Sequence, residues 1–289
     1  MGRGFRAGRG GGPRSSIAWV IRTRLVVAAV VAVVLASPAP AEASEPETPQ
    51  SEEPTELPAE AGLGAGGRSV KAPTTIGRSA GGRQLRAWFV GDVEAKHVLV
   101  LLGQMHGDEK AGKATAAWVR DHVRPKKDTA IWVVPTMNPD GDARGSRVNA
   151  NGVDLNRNWP TSGWQATPAG SRYWSGPRPG SEPETRAMMR FLKAVKPDYV
   201  ASLHQPLHGI GKSGHDVPWE RRLARNLRLP RKHFGIAQGP GVSPTLTGWY
   251  NHRFGRHGTA TTIEYGAAPT LRYRTRTAGV GICRAARMH

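Results

Sequence analysis

Val98-Leu99-Val100-Leu101-Leu102-Gly103-Gln104-Met105-His106-Gly107-Asp108-Glu109 is the stretch from which the rest of the chain is read. Its first five residues form a short apolar run, rich in valine and leucine and closed by Gly103, which reads as a buried strand. After Glu109 the apolar positions take a helical period through Ala111, Ala114, Ala117, Trp118 and Val119, predicting a helix over 109–123. His106 and Glu109 therefore stand where a strand hands over to a helix, at the carboxyl rim where open α/β sheets keep their ligand crevices. An imidazole and a carboxylate three residues apart can reach one cation from one tight turn. Zinc accepts such nitrogen and oxygen ligands, with a third from elsewhere and one position left for water. Alone, the stretch reads equally well as a solvated loop that contains a histidine and a glutamate.

A second continuous apolar run follows at 130–134 and further buried strands are expected at 199–203 and 260–263, with a helical pattern at 181–195 and an alternating strand at 84–90 that suits an edge or hairpin. Strands alternating with helices predict a mostly parallel or mixed sheet covered on both faces. Ser181 is the expected cap of the helix at 181–195, with Glu184 three residues on. Asn138-Pro139-Asp140-Gly141 has the chemistry of a β-turn. Residues 142–180 show no period at all, and a long irregular segment in a compact domain is usually functional.

Three more sites of chemistry are legible. Arg147-Val148-Asn149-Ala150-Asn151-Gly152-Val153-Asp154-Leu155-Asn156-Arg157-Asn158-Trp159 carries two arginines among asparagines, suited to gripping a carboxylate by bidentate, charge-assisted bonds. His204 follows the run at 199–203 and would complete a His/Glu/His zinc site. Glu264 directly follows the run at 260–263, where a carboxylate is placed to take a proton from a metal-activated water. The remaining histidines read as surface or loop residues, with His208 singled out because it lies four residues from His204.

The ends are of different material. The first 43 of 289 residues contain six arginines, an uncharged stretch at 25–36 and Ala39-Pro40-Ala41-Glu42-Ala43. This is the layout of a secretory signal cleaved near 41–44, with a retained anchor as the alternative. Residues 44–67 alternate glutamate with proline and end in glycine and alanine, which predicts a disordered acidic linker. The folded domain is expected over 68–289. It holds 35 Lys and Arg against 15 Asp and Glu, so a net charge of +19 for the whole chain belongs to the domain itself. A basic surface suits an anionic partner such as a cell-wall polymer. Nucleic-acid signatures are absent from the sequence, and no nucleic-acid partner is expected. Cys283 is the single cysteine, so the domain is expected to be held by its core without an internal disulfide.

The order of these motifs, HxxE, NPDG, R-x-N-x-x-G-V-D-x-N-R-N, GP-x-x-x-SE-x-E, strand-His and strand-Glu, resembles the zinc metallocarboxypeptidases of the carboxypeptidase A type over about residues 70–266. The resemblance implies a single catalytic domain of α/β class, a three-layer α/β/α sandwich around a mixed sheet. It implies one Zn2+ held by His106, Glu109 and His204, with Glu264 as general base and then acid. It implies that Arg147 stabilises the oxyanion and helps bind substrate, that Asn156 and Arg157 hold the substrate's terminal carboxylate, and that Asp154 orients His106. The GP-x-x-x-SE-x-E stretch matches a structural signature without assigned chemistry.

The digestive members carry a mobile tyrosine a short way before the general base. The corresponding stretch here, around Gly241 and Val242, has none, and Tyr250 does not align to it. The short domain and the 148–158 and 202–207 stretches look more like the small bacterial branch with the murein-tripeptide amidases, which cleave the γ-D-glutamyl–diaminopimelate bond. The expectation is an exported, monomeric zinc exopeptidase of the cell envelope or medium, acting on peptides with a free terminal carboxylate, cell-wall peptides foremost. A general carboxypeptidase and an inactive wall-binding relative are the alternatives. The specificity residue is expected between 239 and 258.

Overall fold

The computed structural model describes residues 72–235 and 240–289. The expected signal (1–43) and linker (44–67) lie outside the described residues. Eight strands form one sheet: β1 (Thr74–Arg78), β2 (Gln84–Gly91), β3 (His97–Leu102), β4 (Thr129–Val134), β5 (Tyr199–His204), β6 (Gly209–Gly211), β7 (Arg231–Lys232) and β8 (Thr259–Glu264). Their spatial order is β1-β2-β4-β3-β5-β8-β6-β7. The four central strands, β4, β3, β5 and β8, run parallel, and antiparallel pairs flank them, β2 on β4 and β6 on β8. The sheet is therefore mixed. Strand β2 makes the expected hairpin, with β1 as its partner, and so lies one place in from the edge.

Buried central strands must be apolar on both faces, which explains runs without alternation. Leu99 and Leu101 point to one layer and Val100 and Leu102 to the other. The first layer contains α1 (Ala111–His122), α4 (Val217–Leu227) and α6 (Val280–Ala285); the second contains α3 (Pro183–Val195) and α5 (Leu246–Phe254). This is the three-layer α/β/α sandwich. Tyr250 is fully buried in the second layer, and its hydroxyl donates to the Pro197 carbonyl, so it is a core residue.

Local differences from the sequence expectations have physical reasons. Asn138-Pro139-Asp140-Gly141 opens a short helix, α2 (Pro139–Arg144), because the Asn138 side chain accepts from Gly141 N and proline occupies the first turn. Ser181 does not cap α3. Its hydroxyl donates to Glu182 Oε1 at 2.6 Å, and Glu182 stands at the cap position. The basic end of the chain is helical, with a π-helical turn over Tyr273–Gly279 running into α6 and delivering Ala278, Ile282 and Cys283 to the core. Hydrogen bonds five residues apart shift the apolar positions off the α-helical period, which conceals the helix in the sequence.

The site's first turn is fixed by close backbone approach. A Cβ on Gly107 would lie 1.9 Å from the Gly141 carbonyl carbon, so the turn carrying His106 and Glu109 lies flat against α2. Gly107→Ala is therefore expected to displace α2 or the turn, at a cost of about 1–3 kcal/mol, and to lower metal content with it. Thermal unfolding together with the zinc stoichiometry of the purified variant checks this; an unchanged Tm and a full complement of zinc would contradict it.

Candidate metal centre

Three parallel strands deliver the central groups to one rim. His106 lies four residues beyond the end of β3, and its turn closes by Glu109 N donating to His106 O at 3.0 Å. His204 and Glu264 end β5 and β8, and the register pairs them directly. The sheet register alone therefore sets the second histidine beside the candidate base.

His106 Nδ1 is 2.7 Å from Glu109 Oε1, His204 Nδ1 is 3.0 Å from Glu109 Oε2, and the two Nδ1 atoms are 3.2 Å apart. All three side chains are buried. The two imidazole nitrogens and the carboxylate converge on one point, and with its proton at Nε2, facing Asp154, His106 has a lone pair at Nδ1 for a cation. One cation satisfies them together, and about 3.3 Å is the separation of two nitrogens around a tetrahedral zinc. The donor set fits a single zinc ion.

The far side of each ring is fastened. His106 Nε2 lies 3.1 Å from Asp154 Oδ1, and His204 Nε2 lies 3.1 Å from the Ser202 hydroxyl. Such outer contacts fix the ring orientation and direct Nδ1 to the metal. Gln205 N donates to Glu109 Oε2 at 3.2 Å, while the Gln205 side chain accepts from Ala111 N at the start of α1. Ser202 and Gln205 had no assigned role in the sequence, and only the alternation of β5, which turns Ser202 to the side of His204, marks the former.

Asp154 is fully buried and shared. Its Oδ2 accepts from Arg147 Nε (3.0 Å) and Nη2 (2.9 Å), while Oδ1 faces His106 and accepts from Asn156 N at 2.9 Å. Burial by itself would raise its pKa; His106, Arg147 and Arg157 outweigh that and hold the carboxyl well below the usual range. Arg147 keeps Nη1 free of Asp154 and directs it to the cluster, 3.3 Å from Glu109 Oε1 and 3.2 Å from His106 Nδ1. Arg157 is 7 % exposed, and its Nε has no hydrogen-bond partner among the described residues. An orphaned guanidinium nitrogen in a buried place calls for an anionic ligand. Asn156 lies beside it, its Oδ1 accepting from Leu246 N.

Glu264 is buried, and its Oε2 accepts from Leu207 N at 3.2 Å. Burial pushes its carboxyl upward; the nearby His204 works against this, and the charge of Glu109 adds to it. The carboxyl is thus nearer the range in which it can both take and return a proton.

The loop that carries the arginines is irregular but tied down. Asn149 Nδ2 donates to both Glu182 Oε2 (2.7 Å) and Glu184 Oε2 (3.1 Å), and its Oδ1 accepts from Asn151 N and Val153 N. The SE-x-E stretch thus has a mechanical task, to anchor this loop to the start of α3. Tyr173 is a further residue that the motifs did not assign. Half-exposed, its ring lies 5.3 Å from the Arg147 guanidinium carbon and 5.5 Å from that of Arg157, and it spans both by cation–π contact. His208 is exposed and is not part of the His106/Glu109/His204 cluster.

Residues 69–210 match the zinc carboxypeptidase family. Murein peptide amidase A of Vibrio campbellii is 32% identical over 196 residues, 63% of this chain and 75% of that protein. The protein of the same name from Escherichia coli strain K12 is 35% identical over 165 residues, 53% of this chain and 67% of that one. Among solved structures, the murein-tripeptide amidase of Escherichia coli O157 superposes with a TM-score of 0.60 at 24% identity, covering 76% of this chain and 93% of that one. Thrombin-activatable fibrinolysis inhibitor gives 0.63 at 19%, covering 75% and 69%. The two structural likenesses concern the fold. Glu264 lies beyond the matched segment, so its place in the site rests on the strand register.

Asp154→Asn keeps the volume and removes the charge that Arg147 and His106 share. Zinc affinity is expected to fall about 10- to 100-fold, read by competition with a chelator of known strength. An unchanged affinity would remove Asp154 as the residue that orients His106.

Proposed function

The chain belongs to the zinc carboxypeptidase family and is a zinc metallopeptidase acting on peptides; we propose that it is exported and removes the last residue from peptides with a free terminal carboxylate, cell-wall-derived peptides foremost. The observation that carries this reading is the meeting, at three strand ends, of the His106/Glu109/His204 cluster with Glu264 and a buried arginine that has an orphaned nitrogen. The likeness to murein peptide amidases and the signal-like sequence at 1–43 favour a wall-derived substrate.

Zinc, when bound by His106, Glu109 and His204, supplies Lewis acidity to a water and to the scissile carbonyl. Glu264 takes the proton of the attacking water and returns it to the leaving amine, which its raised pKa suits. Arg147, held from behind by Asp154 through two bonds, offers Nη1 to the carbonyl oxygen as negative charge develops there. Arg157 Nε and the Asn156 side chain seat the substrate's terminal carboxylate, so the bond presented for cleavage is the last one. Tyr173 lies over both guanidinium groups and limits their rotation.

The deciding experiment is a paired assay of the zinc-loaded protein with and without chelator. The substrates are L-Ala-γ-D-Glu-diaminopimelate and a set of L-peptides varied at the last residue. Chelator-sensitive release of diaminopimelate is expected. Release from the L-peptides alone would replace the wall substrate by peptides at large, and turnover of neither would overturn the reading.

Two variants test the roles. Glu264→Gln is expected to bind zinc and fold while losing turnover by about 100-fold or more; substantial remaining activity would remove Glu264 as the base. Arg157→Ala is expected to raise KM at least about tenfold for substrates with a free carboxylate, with little loss on the amidated peptides that the wild type already handles poorly. An unchanged KM would mean that the terminus is not what is recognised.

A further inference from the structure

Beside Asn156 opens a pocket of about 740 Å³ that contains none of the metal-cluster residues. Its walls come from the end of β6 and the segment after it, from β7 and the residues that follow, from 242–245 and helix α5, and from Ala260, Thr261 and Thr262 of β8. A terminal residue whose main-chain carboxylate sits on Asn156 and Arg157 has this space for its side chain. The volume exceeds what a short side chain fills and suits a long one.

The charge of the lining is one-sided. Lys212 and Lys232 contribute to it with His215, His233 and His252, and no aspartate or glutamate is among its described lining residues. The buried acid near this wall, Glu220, is already engaged. It accepts from Ser213 N (2.8 Å) and Gly214 N (3.0 Å) and is paired with Arg231, so it builds the wall without lending it negative charge.

Lys232 stands between the pocket and the reacting centre. Its chain crosses over Gly209, where an added Cβ would meet Lys232 Cδ at 3.0 Å, and its Nζ donates to Leu207 O at 2.9 Å. The amide of that same Leu207 donates to Glu264.

We propose that this pocket selects a last residue whose side chain ends in a carboxylate, held by Lys212 and Lys232. The inference rests on the reading of Asn156 and Arg157 as the seat of the main-chain carboxylate. Diaminopimelate meets the requirement, and so does glutamate. Lysine, which differs from diaminopimelate only by lacking the distal carboxylate, does not, because its ammonium group meets like charge with no carboxylate beside it to offset this.

The test compares two matched pairs on the zinc-loaded protein: Ala-Ala-Glu against Ala-Ala-Gln, and L-Ala-γ-D-Glu-diaminopimelate against L-Ala-γ-D-Glu-L-Lys. The carboxylate member of each pair that is cut is expected to have about 10- to 100-fold higher kcat/KM, as one charge-assisted contact provides. Lys212→Met and Lys232→Met should shrink that ratio through KM, and Lys212→Arg should keep it. A ratio near one in the wild type, or one untouched by both methionine variants, overturns the proposal.

Calorimetry with N-acetylglutamate against N-acetylglutamine decides the pocket even where no peptide is cut. Tighter binding of the former without turnover would uphold the pocket and sink the peptidase reading. Preference within the Ala-Ala pair, with both γ-linked peptides left intact, would uphold the pocket and remove the wall substrate.

Discussion

The buried carboxylate of Asp154 is the interaction on which the site depends. It is fully buried, so its charge must be met by the protein, and it is met on two sides. Arg147 closes a two-bond fork on one oxygen, and His106 approaches the other. One group thereby holds three things in mutual register: the ring of a metal ligand, the direction of the arginine arm that points at the cluster, and, through Asn156 N, the start of the turn that carries Arg157. Asp154 is itself pinned from behind, because its amide donates to Trp174 O, one residue past Tyr173. The carboxylate that fixes the arginines at their base and the ring that covers their faces thus belong to adjoining pieces of one irregular segment.

That segment works as a rigid part because its polar groups bond to one another and to α3. Asn149, Asn158, Glu182 and Glu184 are buried, and each has named partners. Backbone without helix or sheet must satisfy its polar atoms in some other way, and asparagine side chains do so by imitating the peptide group. The sheet supplies the other half of the site more simply. Parallel strands end on the same side, and a register pairing His204 with Glu264 sets a candidate ligand and the candidate base next to each other with no loop involved.

This division explains what was legible in the sequence. Strand β3 is visible as an uninterrupted apolar run, and β5 and β8 as short uncharged stretches that include Ser202 and Thr261-Thr262; each is followed by a group with chemistry, so the His106/Glu109/His204 cluster and Glu264 could be named before any coordinates. The layered architecture follows from the same runs. Other features depend on contacts between distant residues. Asn138-Pro139-Asp140-Gly141 carries both turn and cap signals, and the bond from Asn138 to Gly141 is what makes it a helix. Ser181 has the right spacing for a cap, yet the buried Glu182 takes its hydroxyl. The π-helical turn at Tyr273–Gly279 breaks the period that would have revealed it. Tyr173 has no local signal, since its meaning lies wholly in the two arginines beneath it. The specificity residue is expected from the sequence between 239 and 258; Val242, Ser243, Thr245, Thr247, Gly248, Asn251 and His252 of that stretch line the pocket, but the lysines proposed to select the side chain come from before β7 and from β7 itself.

The two lysines give the site a second reason for its charge. In the proposed mechanism the terminal carboxylate needs one cationic seat, and Arg157, buried with an orphaned nitrogen, is the group proposed for it, where a charge-assisted bond is strong and geometrically exacting. Lys212 and Lys232 differ in kind. They are less enclosed, carry their charge on flexible chains and stand at the wall of a wide space, so they attract a second anionic group without fixing its position closely. In the proposed mechanism a rigid inner seat sets which bond is cut, and a looser outer one sets which side chain is preferred. Because Lys232 bonds to the carbonyl of Leu207, whose amide holds Glu264, filling the outer seat acts on a residue that already touches the base. The proposed side-chain seat and the proposed base are then separated by a single residue, Leu207.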